Sequence, residues 1–379
     1  MNTPSLVAGP RSLFVIDPQP AAIAHAALQL PATQTAVIFI GERRAPDLQE
    51  VVSSLRATRR PFVGAMFPKL IHGNRVEDSG AIVFGLESSA PAYRVPFLGE
   101  FDAIRSLPDS IGSTDKAVLV LLDGLSANIG RFIRKLYGHY GTSIQYLGGG
   151  AGSLTLEQKP CVFCAEGVFQ DTALILPLVD RLGLGVSHGW SRVMGPVIAT
   201  EVDNTIIKQI NWRSAVDVYR EVVEPVNQVS LTPDNFFQIA KGFPFGLEKN
   251  ESEDVVRDPI ALRPDGALVC VGEVPENGIL HILTGAPETL VRAAGEAARE
   301  SVRNLGCAPS HAVVIDCISR VLFLEDRFAE ELEAVATELS RGGCPAEPFG
   351  ALTLGEVSSL GDGYLEFLNK TIVVGTFAS

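Results

Sequence analysis

A change of texture near Gly152 constrains this chain more than any other feature. Before it, short apolar runs alternate with helical stretches: residues 13–16, 21–30, 36–40, 47–57 and 61–67, then 81–86, 116–122, 126–140 and 143–147. Runs of four to eight apolar residues suit buried strands, and longer stretches with apolar residues at steps of three and four suit helices, so this half predicts an α/β arrangement. Ser126 stands where an N-cap is expected, with Ile129, Phe132, Ile133 and Leu136 forming one apolar face behind it. After the glycines the pattern turns to hairpins. Residues 197–201 and 205–210 flank a Val202-Asp203-Asn204 turn, and Ala261-Leu262 faces 267–271 across Arg263-Pro264-Asp265-Gly266.

Two helices punctuate the second half. One starts near Pro287 and presents Leu290, Ala294, Ala298, Val302 and Leu305; the other starts near Arg327, presents Phe328, Leu332, Val335 and Leu339, and stops at Gly342-Gly343. Strands are expected over 312–318, 349–354 and 364–374. The fold class predicted is therefore α/β to α+β, two packed lobes of mixed sheets with flanking helices. The least periodic stretch lies around Trp212 to Arg220, which divides the 379 residues into 1–211 and 212–379, each of ordinary domain size.

Charge and hydropathy exclude several functions. With 31 Lys and Arg against 44 Asp and Glu, the net charge of −13 repels a phosphate backbone, and the basic pairs Arg43-Arg44 and Arg59-Arg60 lack interleaved aromatics, so no nucleic acid is expected. The best apolar run, 172–179, is far shorter than a membrane span and holds Pro177; no membrane is expected. Asp17, Pro18 and Pro20 interrupt what would be a signal-peptide core, which predicts a cytoplasmic protein. Six cysteines in so long a chain read as reduced thiols.

Several motifs invite chemistry. Cys161-x-x-Cys164 has the spacing of half a zinc site, but no second pair completes it, so two buried thiols are expected. Gly185-Val186-Ser187-His188-Gly189 matches the G-x-S-x-G nucleophile elbow, yet Gly195-Pro196 and strands follow where a helix should, and Asp203, His281 and Asp316 are not placed for a triad by spacing. Gly148-Gly149-Gly150-Ala151-Gly152 lacks the Gly-Lys-Ser/Thr ending of a P-loop and suits a close backbone crossing. No two histidines have metal-site spacing, although an axial haem ligand requires only one. Arg320, ending the strand that carries Asp316 and Cys317, requires an anion: a ligand carboxylate, or an internal partner such as Glu356 or Glu325. A cation beside Cys317 would make that thiol nucleophilic, so a thiol enzyme at Cys317 and a serine hydrolase at Ser187 stand as the enzymatic alternatives.

Six segments, in order, resemble the FIST family of intracellular sensory domains with N-terminal and C-terminal parts: Val186 to Trp190, Ala215 to Arg220, Val256 to Pro259, Asp316 to Arg320, Leu354 to Val357 and Leu365 to Thr371. The resemblance covers most of the chain. It departs in the N-terminal part, where residues 63–68 replace a small Ala-Gly-Glu segment. It implies a non-catalytic sensor of a small molecule, with His188, Arg257, Cys317, Arg320, Glu356 and Asn369 at motif positions as ligand-pocket candidates. A haem-based subset of the family senses nitric oxide and acts on a histidine kinase, which implies haem as cofactor, His188 as its ligand and a separate kinase as partner. The alternative it implies is an amino acid or another small anion.

Overall fold

In a computed structural model, residues 12–96, 107, 117–249, 253–360 and 364–378 are described. The first eleven residues, which bear on the signal-peptide expectation, and Lys116, expected to start a strand, lie outside them. The fold is mixed α/β, as expected: three six-stranded sheets and a barrel, with helices against their faces.

The first sheet is built wholly from the first half, with order Ser12–Val15, Ala81–Glu87, Gln34–Gly41, Phe62–Phe67, Val162–Cys164, Gly167–Phe169. Gln34–Gly41 and Phe62–Phe67 run parallel, joined by the helix Leu48–Ala57, whose Asp47 cap accepts from the Gln49 amide. Every residue of both strands is buried, which matches the unbroken apolar runs of their sequence.

The other two sheets mix the halves. One has the order Tyr364–Leu368, Glu356–Leu360, Gln145–Ala151, Ala117–Asp123, Thr172–Leu178, Tyr93–Pro96. The second runs Arg181–Ser187, Ile372–Ala378, His311–Cys317, Phe349–Thr353, Lys69–His72, Arg75–Glu77. The glycine cluster falls inside a strand and is a close crossing. A β-carbon at Gly150 would sit 2.6 Å from the Leu354 carbonyl oxygen and 2.8 Å from the Gly124 Cα. The Gly150 amide and carbonyl pair with Gly355 and Leu354, so this crossing ties the two halves together.

The hairpins after Gly152 close into a barrel: Ser191–Asp203, Ile279–Thr284, Phe245–Leu247, Val255–Leu262, Leu268–Val271 and Ile206–Ile210, which pairs back to Ser191–Asp203. The expected pairing of Ala261-Leu262 with Val269-Leu268 is present. Two boundaries differ from expectation. The helix predicted from Ser126 begins at Ile129, because the Ser126 hydroxyl is spent on Asp171 instead of capping. The helix Ala215–Asn227 occupies the stretch read as least periodic.

Candidate functional site

The six motif residues all lie buried where the mixed sheets, the barrel and the C-terminal helices meet; Arg320, Cys317 and Glu356 fall in two adjacent networks with a third beside them, while Arg257 and Asn369 stand apart. His311–Cys317 leads directly into the short helix Ile318–Leu324, which is followed by the helix Phe328–Arg341. This places Arg320 in the first turn of the first helix with its side chain turned inward, and Glu331 on the inner face of the second.

Arg320 is the centre of the first network. Its Nε and Nη2 each donate to one oxygen of Glu331 at 2.9 Å, a bidentate pair with neither residue exposed. Nη1 and Nη2 also donate to the carbonyls of His188, Lys370 and Leu290. Asp316 stands 3.3 Å from Nε with neither oxygen in a hydrogen bond among the described residues; burial first, and Glu331 second, push its carboxyl well up. The internal partners are therefore Glu331 and Asp316. Of the partners expected from sequence, Glu325 is on the surface holding Lys241, and Glu356 is not in contact with the guanidinium. Glu331 gave no sequence signal beyond being an acidic residue among apolar neighbours on a helix face.

The second network holds Cys317 and Glu356. Glu356 accepts from the Thr353 hydroxyl at 3.0 Å and the Thr371 amide at 3.4 Å, and burial pushes its pKa up to about 8. Burial and the facing Glu356 push the Cys317 thiol well up, the reverse of what a nucleophile requires. Arg320, the cation expected to activate it, is committed to Glu331. Below lies a third pair, Lys370 with Asp258 at 3.2 Å, joined by the Ser319 hydroxyl.

Arg257 and Asn369 stand apart. Arg257 spends Nε and Nη1 on three backbone carbonyls, those of Glu273, Val256 and Phe367, and pairs with no carboxylate among the described residues.

The G-x-S-x-G segment is a packing device. Its glycines lie against the helix Pro287–Leu305: β-carbons at Gly185 and Gly189 would approach the carbonyl oxygens of Ala297 and Thr289 to 1.8 and 2.5 Å. Ser187 donates to Glu253 at 3.0 Å, and strand, not helix, follows. His281 faces Asp254, not Ser187.

The donor set does not fit an axial haem ligand. Nδ1 of His188 accepts from the Trp190 amide at 2.9 Å, which leaves the neutral ring's proton on Nε2, and Nε2 looks at Glu253 from 3.7 Å. Neither nitrogen presents a lone pair to an open space. His311 lies flat between Phe349 and Phe377. His72 stacks on Phe14, His139 meets Tyr140 edge-on, and His25 is exposed on a surface helix. Cys161 and Cys164 are free and buried, with burial raising both thiols.

Beside the Arg320 network an open cleft of about 300 Å³ separates the Lys69–His72 and Arg75–Glu77 hairpin of the first half from the two C-terminal helices. Val76, Val321, Phe328 and Leu332 give it an apolar floor. Asp78 and Glu325 at its rim are paired to Arg43 and Lys241, while Lys69 and Asp326 form no ion pair among the described residues. Of its residues the sequence marked Glu325, as a partner for Arg320, and Phe328 and Leu332, as an apolar helix face, but neither Lys69 nor Asp326. Arg320 and Glu331 sit immediately behind its wall, on the same two helices as Val321, Phe328 and Leu332.

The FIST N domain matches residues 34–213 and the FIST C domain residues 215–359. No curated protein matches the chain.

Proposed function

Because the chain belongs to the FIST-domain family, whose members are sensory domains that bind small ligands, we propose that it senses a small molecule carrying both a cationic and an anionic group. The observation that carries this is the cleft: Lys69 and Asp326, neither held in an ion pair among the described residues, above an apolar floor, closed on one side by helices that the Arg320–Glu331 pair locks together. A cleft of this size between packed elements suits a ligand of amino-acid dimensions. A ligand touching Val321 and Phe328 acts on two helices with a common buried clamp, so differential contact with them shifts their arrangement. Of the two ligand classes the resemblance implies, this geometry supports the amino-acid or small-anion class over haem. The resemblance further implies a cytoplasmic setting and a separate histidine kinase as receiver. The outward face of Phe328–Arg341, with Glu330, Glu333 and Thr337 along an open groove against Pro287–Leu305, supports a readable output.

A thermal-shift screen of amino acids, run beside a haem titration followed in the Soret region, tests this. A zwitterion is expected to stabilise the protein saturably, with the effect lost in Lys69→Met and in Asp326→Asn. A stoichiometric haem spectrum with no response to any zwitterion would overturn it.

A further inference from the structure

We infer that Arg257 and Asn369 form a second site, distinct from the cleft, for a small carboxylate that also carries its own hydrogen-bond donor. The first ground is a charge without a partner. Arg257 is only 5% exposed, and an arginine stays ionised even there. Burying an uncompensated charge is among the costliest arrangements in a fold, which is why interior cations are paired. The other two deeply buried cations of this region obey that rule: Arg320 has Glu331 and Asp316, and Lys370 has Asp258. Arg257 has only carbonyl oxygens, at 2.7 Å from Glu273, 3.0 Å from Val256 and 3.1 Å from Phe367. Its Nη2 donates to nothing among the described residues.

The neighbouring carboxylates are already spent. Glu366 and Glu273 are the acidic side chains whose fields reach the guanidinium, and they are held by Lys249 and Arg134, each at 2.5 Å.

The second ground is Asn369, whose Oδ1 is fully buried with no hydrogen-bond partner. Gly272, with φ of +83°, packs closely against both residues and so shows that they are neighbours. A β-carbon there would lie 3.1 Å from Arg257 Nε and 3.2 Å from Asn369 Oδ1. The two atoms call for opposite complements: an anionic oxygen for the guanidinium, an O–H or N–H for the amide oxygen. One molecule with both groups on adjacent carbons, such as a hydroxycarboxylate, satisfies them together. The two residues come from the barrel strand Val255–Leu262 and from the link between Tyr364–Leu368 and Ile372–Ala378, so an occupant would join barrel to mixed sheet.

Glycolate is the probe, compared with its neutral isostere glycolamide and with acetate, each titrated by calorimetry and thermal shift into the full chain. Glycolate is expected to bind saturably and at least tenfold more tightly than acetate, and glycolamide not at all. Asn369→Asp supplies an internal carboxylate to Arg257: this variant is expected to melt higher than wild type without ligand and to lose the glycolate response. Equal stabilisation by glycolate and glycolamide, no glycolate binding, or an unchanged glycolate response in Asn369→Asp would each overturn the assignment. Lys69→Met, which tests the cleft, is expected to leave glycolate binding intact, so the two proposals fail separately.

Discussion

Removing Glu331 should be costly, and removing Arg320 with it should restore part of the loss. In Glu331→Leu, Arg320 loses two charge-assisted hydrogen bonds, each worth about 1.5–3 kcal/mol. Asp316, 3.3 Å from Nε, is then free of the facing carboxylate and can give up its proton to serve as a substitute counter-ion. The net cost therefore falls at the lower end of the range for breaking a buried pair, about 3 kcal/mol. In Arg320→Met/Glu331→Leu no buried charge is stranded. Three carbonyls lose a donor, but Lys370 O still accepts from Trp190 Nε1 and Leu290 O lies within the hydrogen-bond ladder of a helix, which leaves only His188 O orphaned. One such group costs about 1–3 kcal/mol, partly offset by apolar packing, so the double variant should be more stable than the single one by about 1–2 kcal/mol. Urea denaturation followed by the fluorescence of Trp190, which packs against Phe323 and close to this network, reads both variants. A double variant less stable than Glu331→Leu would refute the reasoning, because the pair would then contribute more than the cost of leaving one member alone.

Two further outcomes follow from buried groups. The Glu356 pKa is raised by burial to about 8 from an ordinary value of 4.5, so the folded state holds this proton more tightly than the unfolded chain; the contribution is complete below pH 4.5 and is lost as pH rises through 8. Stability should thus decline between pH 5 and 8, and Glu356→Gln should flatten that decline, as urea midpoints across this range would read; an unaltered slope would place the proton elsewhere. Gly185→Ala puts a β-carbon 1.8 Å from the Ala297 carbonyl, a backbone atom that cannot step aside, so the cost should exceed the usual 1–3 kcal/mol of overpacking and appear as loss of soluble, cooperatively folding protein. Wild-type behaviour of that variant would mean that the helix does not lie on this strand.

Much of the fold was legible because its signals are local. The helices from Pro287 and Phe328 carry their apolar stripes and end at glycines, and the Arg263 to Gly266 turn specifies its own hairpin. What periodicity does not carry is partnership between distant segments. Lys69–His72 reads as an ordinary short strand, and nothing local says that it pairs with Phe349–Thr353 across most of the chain. The site shows the same divide. Residue type announced that Arg320 must meet an anion, but Glu331 is indistinguishable in sequence from exposed acids such as Glu330 and Glu333 on the same helix; only the turn it occupies aims it inward. Arg257 reverses the case, since its motif position drew attention while its lack of an ion pair among the described residues is visible only in three dimensions. Lys69 and Asp326 were silent because a charge on a cleft rim resembles any surface charge.

The exchange of strands between halves also sets an order of events during synthesis. The sheet around Ala117–Asp123 is completed by Glu356–Leu360 and Tyr364–Leu368, and the Lys69–His72 hairpin waits for Phe349–Thr353. The first sheet, closed within residues 12–169, and the barrel, closed within residues 191–284, can assemble as the ribosome releases them. Until residues 349–358 have emerged, one edge of Gln145–Ala151 and one edge of Lys69–His72 lack their partners, a long exposure for buried strands. The two halves complete these sheets jointly, and in a nascent chain those edges stay open until Phe349–Thr353 and Glu356–Leu360 arrive.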